Sequence, residues 1–348
     1  MKMNTVTDLK KRAITDLRIS LTDRCNFRCT YCMPKKVFNS SYKFLRPTDL
    51  LTFEEIHLIA KTLVKMGVKK IRLTGGEPLM RKNIGVLISM LKQLSCNDNS
   101  PVEVSLTTNG VILKEKVSDL LSVGLDRITV SLDSIDKAIF QQMSDTKHSP
   151  ETVLDAIEEA RRIGMEVKIN TVVKKGVNDS QIIPIASYFK RLGITVRFIE
   201  FMDVGSVNSW QMSHVLPSKR IVSILDKEFG VNYCGRNSKN EVSEVWSYKD
   251  ESSKFGTISS VTKPFCGNCT RLRISSEGML HTCLFSTKGH DLKPFVKKSS
   301  ELSGQGNLQT FLSQIWSLRN DQYSMNRLSG IEGSAINEKR IEMSYIGG

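Results

Sequence analysis

Residues 17–32 read Leu17-Arg18-Ile19-Ser20-Leu21-Thr22-Asp23-Arg24-Cys25-Asn26-Phe27-Arg28-Cys29-Thr30-Tyr31-Cys32. The first five alternate, with Leu17, Ile19 and Leu21 on one side and Arg18 and Ser20 on the other, the pattern of a strand with one buried face. The strand feeds directly into three cysteines at C-x3-C-x2-C spacing. That spacing turns three thiolates toward one inorganic group and supplies no fourth ligand. Iron-sulfur clusters normally take four cysteines and structural zinc takes four ligands. A local deficit of one therefore leaves a metal corner open to a substrate or cofactor. A zinc site completed by a distant residue, and a disulfide, are the alternative readings.

Outward from this stretch the chain alternates strand and helix. Strands are read at 17–21, 70–74, 103–107, 127–131, 166–173 and 195–200. Helices are read at 53–66, with Thr52 as N-cap and Glu55 as its capping-box partner, and at 84–94, 113–123, 150–163 and 182–192. Pro150 opens its helix in the first turn, where proline is tolerated. Repeated βα units predict a parallel sheet, and six are too few for a closed eight-stranded barrel. The expected class is α/β, an open, partial (β/α)6 TIM-like barrel over residues 1–230, with a C-terminal extension over 231–348. Beyond Gly205 the alternation fades, through polar Asn237 to Ser253 and the Gly/Ser-rich run from Ser299 to Asn307.

One face of these strands is polar throughout: Arg18, Ser20 and Thr22; Lys70, Arg72 and Thr74; Glu103, Ser105 and Thr107; Lys168 and Asn170. The opposite, apolar faces need helices against them, so the polar faces are expected to look into the lumen. Desolvating Arg18, Lys70, Arg72 and Lys168 together is prohibitive without counter-charge. A polyanionic ligand would supply it; pairing with acidic neighbours is the competing explanation.

Several loops carry binding signals. Thr74-Gly75-Gly76-Glu77-Pro78 follows the second strand, where glycine lets main chain approach a ligand closely. Ser131 ends the fourth strand, and taken alone closes a turn. Met202, in Phe198-Ile-Glu-Phe-Met-Asp-Val-Gly205, would ordinarily be packing. A second trio, Cys266, Cys269 and Cys283, again lacks an obvious fourth ligand, with zinc completed by His281 or His290 as the competitor. Arg271 and Arg273 alternate onto one face and suit a phosphorylated ligand through paired hydrogen bonds. Cys96 and Cys234 fit neither trio and are read as ordinary thiols.

With 348 residues, 50 Lys+Arg against 36 Asp+Glu and a formal charge of +14, the chain favours an anionic partner. No apolar run has membrane-spanning length, and Met1 to Arg12 lacks a signal-peptide h-region, so the expectation is a cytoplasmic protein whose eight cysteines are reduced.

The first cysteine motif, including Tyr31, resembles the signature of the radical S-adenosylmethionine enzymes. The two trios together, Thr270-Arg271-Leu272-Arg273 after the second pair, and the ending Ser344-Tyr345-Ile346-Gly347-Gly348 resemble the molybdenum cofactor biosynthesis protein A family, the GTP 3',8-cyclases, over nearly the whole chain. The resemblance implies a cyclising lyase with two [4Fe-4S] clusters, held by Cys25, Cys29 and Cys32 and by Cys266, Cys269 and Cys283. It implies S-adenosylmethionine at Tyr31, Gly76, Ser131 and Met202. GTP would contact Arg18, Arg72, Thr107, Lys168 and Arg271, Leu272 and Arg273, with the guanine on the open iron of the second cluster; Lys70 joins the expected GTP contacts from strand alternation. Hydrogen would be taken from the ribose C3', and the carbon radical would close on guanine C8. Gly347 and Gly348 would enter the active site and, with Arg18, serve turnover. An external electron donor and a transient hand-off to the next enzyme of the pathway are implied, and a homodimer is left open. No stable nucleic-acid or membrane partner is expected. The alternatives are a radical enzyme that modifies tRNA or a peptide, and a zinc-stapled nucleic-acid-binding module. The chain has no aromatic-interleaved basic patch for stacking bases.

Overall fold

Alternating apolar and polar residues build six strands whose apolar sides vanish under helices. Leu17, Ile71, Leu73, Val104, Leu106, Ile128, Val130 and Ile169 are all fully buried, and each such side chain contributes about 1.5–3 kcal/mol by leaving water. The elements, in a computed structural model describing residues 6–236, 238, 241–299, 305–328 and 340–347, are β1 (Asp16–Ser20), α1 (Phe53–Lys65), β2 (Lys70–Thr74), α2 (Ile84–Lys92), β3 (Glu103–Thr108), α3 (Val117–Ser122), β4 (Arg127–Ser131), α4 (Lys137–Ser144), α5 (Pro150–Arg162), β5 (Glu166–Val173), α6 (Ile182–Arg191) and β6 (Thr195–Glu200). There follow α7 (Ser218–Phe229), β7 (Val231–Gly235), β8 (Glu244–Tyr248), β9 (Lys254–Ile258), β10 (Arg271–Ile274), β11 (Met279–His281), β12 (His290–Asp291), α8 (Lys293–Ser299), α9 (Gln305–Ser317), α10 (Tyr323–Leu328) and α11 (Met343–Ile346).

Local chemistry sets the ends. Thr52 accepts from the Glu55 amide at 3.2 Å while the Glu55 carboxylate accepts from the Thr52 amide at 2.8 Å, the expected capping box of α1. The apolar period from Leu113 runs through a turn before it becomes helical. The Lys116 and Val117 amides both bond the Leu113 carbonyl, so α3 starts four residues after the expected position. Helix α4 was not foreseen; Asp136 caps it by accepting from the Ile139 amide at 2.9 Å.

The strands form one sheet in the order β12-β11-β10-β1-β2-β3-β4-β5-β6-β9-β8-β7. Strands β1 to β6 run parallel. The later chain extends both edges: β9 lies parallel to β6 and β10 parallel to β1, while β7, β8, β11 and β12 add antiparallel. The outermost strands β12 and β7 do not pair, so the barrel stays open. It is nevertheless strongly curled. Arg197 on β6 is repelled by Arg72 on β2 and Arg271 on β10, four and six strands away, about 19 and 29 Å in a flat sheet at ~4.8 Å per strand. Among the described residues no helix is long and apolar enough to cross a membrane. All eight cysteines are free, with Cys96 buried in the core and Cys234 exposed on β7.

Candidate active site in the open barrel

Strand register sorts the site by height. Asp16, at the start of β1, lies beside Lys70 and Arg271; Arg18 lies beside Arg72 and Arg273; Ser20 lies beside Thr74. Because β10 enters the sheet level with the start of β1, Cys266 and Cys269 sit at the N-terminal edge of the strands. Antiparallel β11 sets His281 beside Arg273 and carries the chain back to Cys283, which shares that edge. Cys25, Cys29 and Cys32 follow the opposite, C-terminal end of β1. The trios therefore occupy the two ends of the lumen, with a belt of arginines between them.

In the first trio, burial and then mutual repulsion among the thiols hold Cys29 and Cys32 well above the ordinary thiol range. Burial, followed by Glu77, pushes Cys25 up to about 11. Three half-buried thiols on one loop suit a group of metal ions, whose charge removes their protons. The Phe27 amide donates to Cys25 Sγ at 3.4 Å and Asn109 Nδ2 lies 3.8 Å from it. Tyr31 donates its hydroxyl to Asp133 at 2.7 Å, and its ring meets Phe201 edge-on at 6.5 Å. Burial raises Asp133 to about 6 even though Tyr31 and the Val172 amide both bond it.

The Gly75-Gly76 turn is stitched to the cysteine loop. The Gly76 amide donates to Thr22 O at 2.7 Å and the Glu77 amide to Arg24 O at 2.8 Å. A Cβ on Gly76 would lie 2.1 Å from the Arg24 carbonyl oxygen, so glycine is required there. Glu77, buried, accepts from Thr108 Oγ1 at 2.7 Å and from the amides of Asn109 and Leu79. Ser131 ends β4 opposite Asn170. Met202 lines a cavity shared with Cys266, Cys269, Cys283, Arg271 and Arg273, while its neighbour Phe201 reaches Tyr31 at the other trio.

The belt differs in part from the expected set. Lys70 is largely exposed and pairs with Glu103 at 3.7 Å, and Lys168 pairs with Glu166 at 3.1 Å. These two rim lysines have their counter-charge within the protein, which corrects the expectation that all four lumen cations lack one. The uncompensated charges are arginines. Among the described residues Arg18, Arg72, Arg197, Arg271 and Arg273 make no ion pair. Burial, then Arg273, Arg271 and Arg72, lower Arg18 well below the ordinary value. Burial with neighbouring arginines brings Arg72 and Arg273 to about 10 and Arg197 to about 9. Leu272 packs in the apolar layer beside Leu17, fully buried, so its side chain faces away from the lumen. Three buried polar atoms of the inner faces, Thr107 Oγ1, Asn170 Oδ1 and Arg197 Nε, have no hydrogen-bond partner among the described residues. A cationic lumen with unspent donors and acceptors fits a polar anion.

The second trio shows a different balance. Burial raises Cys283 to about 12, whereas at Cys269 the charges of Arg271 and Arg319 outweigh burial and bring the thiol below its ordinary value. Among the described residues no group of three or more His, Cys, Asp or Glu side chains is arranged around a single metal ion. Of the two histidines weighed as a fourth ligand, His290 is exposed, and His281 is buried with its ring against Tyr345, 6.3 Å between centroids.

The C-terminal segment closes the site. Gly347 offers its carbonyl to Arg273 Nη1. At φ +71° a Cβ there would meet Thr74 Cγ2 at 2.2 Å, so the residue is wedged between β10 and β2. Ile346 is fully buried, Tyr345 bonds Glu277, Glu342 accepts from the Ser206 amide at 2.9 Å, and Arg340 donates to Asp203 O at 2.7 Å. Gly348 lies outside the described residues. Glu77, Asp133, Arg197, Glu277 and Asp203 were not singled out from the sequence. Alternation along β6 marks Arg197 as inward-facing; the others are joined to their partners only by folding.

Residues 19–189 match the Radical SAM superfamily and residues 194–325 match Molybdenum Cofactor Synthesis C. Among solved structures, Streptococcus suis SuiB bound to S-adenosylmethionine aligns at TM-score 0.60 and 15% identity over 86% of this chain and 68% of that one, a likeness of fold. These features define a radical SAM protein with a second, C-terminal cysteine site. The chain is 44% identical over 345 residues to the GTP 3',8-cyclase of Staphylococcus epidermidis strain RP62A and 44% identical over 345 residues to that of Staphylococcus carnosus, covering 99% of each protein in both alignments. It belongs to the GTP 3',8-cyclase family.

Proposed function

We propose that the chain cyclises GTP to (8S)-3',8-cyclo-7,8-dihydroguanosine 5'-triphosphate, the first step of molybdenum cofactor biosynthesis. The observation that carries this reading is the register of β1, β2 and β10, which sets unpaired Arg18, Arg72, Arg271 and Arg273 between two cysteine trios. Cys25, Cys29 and Cys32 would hold one [4Fe-4S] cluster, and Cys266, Cys269 and Cys283 a second. When bound, the first cluster and S-adenosylmethionine supply the one-electron chemistry that removes hydrogen from a carbon, and the second supplies an open iron for a purine.

The chain's own residues do the rest. The arginine belt draws the triphosphate into the lumen with charge-assisted, paired hydrogen bonds and fixes its height, so that ribose lies toward the first trio and base toward the second. Thr107, Asn170 and Arg197 satisfy their spare polar atoms on the nucleotide. Lys70 and Lys168 guide the anion at the rim. The Gly75-Gly76 turn, with Tyr31 and Ser131, forms the cradle for S-adenosylmethionine, and Met202 borders it. Gly347, held by Arg273, excludes water and fixes the position of that guanidinium. Holding the reactants in one orientation removes several kcal/mol from the barrier, of about 7–11 kcal/mol available to such positioning. An external electron donor and an enzyme that consumes the cyclised nucleotide complete the reaction sequence. The functional division falls at residues 230 and 231, between the strand-helix repeats and the segment bearing the second trio.

The test is anaerobic reconstitution with iron and sulfide, then incubation with GTP, S-adenosylmethionine and a reductant. The cyclised triphosphate should form, and guanosine should neither bind appreciably nor react. No product from a chain carrying about eight irons would reject the proposal.

A further inference from the structure

Two arginines far apart in sequence meet behind the second cysteine pair. Arg12, from the segment before β1, donates Nη1 to Cys266 O at 2.7 Å and to Asp321 O at 3.0 Å. Arg319, just after α9, donates Nη1 to Cys269 O at 2.8 Å. The two side chains are only 2% and 1% exposed. Asp8 serves both, 2.5 Å from Arg12 Nε and 3.7 Å from Arg319 Nη1, and Asp321 pairs with Arg319 at 2.9 Å. Trp316, fully buried, lies under the Arg319 guanidinium at 4.5 Å and donates Nε1 to Arg12 O at 2.9 Å. Arg12 Nη2 is buried, lies 3.9 Å from Asp321 Oδ1 and has no hydrogen-bond partner among the described residues.

Removing two guanidiniums and two carboxylates from water is costly, and well-packed apolar side chains would brace a loop at least as well. What apolar side chains do not provide is a rigid donor to each cysteine carbonyl and positive charge beside the thiolates. Ligand-orienting partners of this kind tune what the ligands hold.

We propose that Arg12 and Arg319 are positioning residues for the group bound by Cys266, Cys269 and Cys283. They fix the two cysteine peptides and raise the group's electron affinity. This rests on the reading that the second trio holds an iron-sulfur cluster. Asp8 and Asp321 neutralise the two arginines, so losing either guanidinium leaves net negative charge beside the site. Negative charge disfavours the reduced cluster and lowers its potential.

The experiment uses the full chain, reconstituted anaerobically, with Cys25, Cys29 and Cys32 replaced by alanine so that only the second site reports. Iron content, iron retention against a chelator and the midpoint potential by EPR-monitored titration are compared for the parent, Arg12→Gln, Arg319→Gln, Arg12→Lys and Arg319→Lys. The glutamine variants should shift to lower potential and hold iron about 10–100-fold less tightly. The lysine variants keep the charge and lose the fork, so they should retain most of the potential while still losing iron faster than the parent; they also report if the glutamine forms do not fold. Unchanged potential and retention in the variants that fold would overturn the proposal, as would a loss of thermal stability with the potential unmoved. Adding Cys266→Ala, Cys269→Ala and Cys283→Ala separates the two levels: if iron content does not fall, the second-cluster reading fails rather than the role of the arginines.

Discussion

Glu77 is held by the Thr108 hydroxyl and by the amides of Leu79 and Asn109, yet burial pushes its carboxyl from 4.5 up to about 7. The unfolded chain releases this proton near the ordinary value, so between about pH 5 and pH 7 the folded form binds more protons than the unfolded one. Stability is therefore lost as pH rises through that window and recovered on acidification. For the metal-free protein, the urea midpoint should fall over this range, and Glu77→Gln should flatten the fall; an equal slope in both would refute the assignment. Arg197 makes the second residue-scale prediction. Among the described residues its Nε has no hydrogen-bond partner, and its Nη2 donates to Thr129 Oγ1 at 3.2 Å. Arg197→Ala removes a charge-assisted bond of about 1.5–3 kcal/mol, so calorimetry should show GTP binding about ten- to a hundredfold weaker with iron content unchanged. Affinity within about twofold of the parent would exclude Arg197 from the site. Its position was legible in principle, because β6 alternates as the other strands do. Glu277 was not, since nothing at residue 277 signals a partner 68 positions away at Tyr345.

Elements differ in how much of them local sequence dictates. The capping box of α1 and the period-2 faces of β1 to β6 are written in adjacent residues, and their bounds agree with expectation to within one residue. Helix α3 shows the limit: apolar spacing continues through a turn, so periodicity alone places the helix too early. The later strands are short, and β10 finds its place only by pairing with β1 some 250 positions back, the register being Asp16 beside Arg271. Periodicity in a four-residue strand carries little information. The two cysteine trios were evident from spacing, but their placement at opposite ends of one lumen depends on that pairing. The tail supplies this scale's prediction. Gly347→Ala puts a Cβ into Thr74 at a positive φ, unfavourable for alanine by about 1–2 kcal/mol before the clash is counted. The tail should unseat, and cyclisation should fall by at least about a hundredfold, the usual cost of a misplaced active-site contact, with both iron sites filled. Wild-type turnover in this variant would remove the tail from the mechanism.

At the scale of the whole molecule, the fold solves an electrostatic problem by leaving it half solved. Apolar faces of the strands turn outward to the helices, and the curled inner face collects arginines whose charges depress one another's pKa. The arrangement is poor in energy without a counter-anion, so GTP binding is expected to weaken with salt. The net charge of +14 extends the same bias to the surface and raises the encounter rate. The sheet stays open, flanked by β7 and β12, and Gly347 reaches in beside Arg273. In the proposed reaction a ribose is held beside the first trio while its triphosphate lies on the arginine belt. The direct measurement is turnover of GTP deuterated at the ribose 3' carbon by the doubly reconstituted enzyme with S-adenosylmethionine and reductant. Deuterium should appear in 5'-deoxyadenosine; 5'-deoxyadenosine formed without deuterium, with both iron sites confirmed full, would rule out hydrogen removal from the ribose 3' carbon.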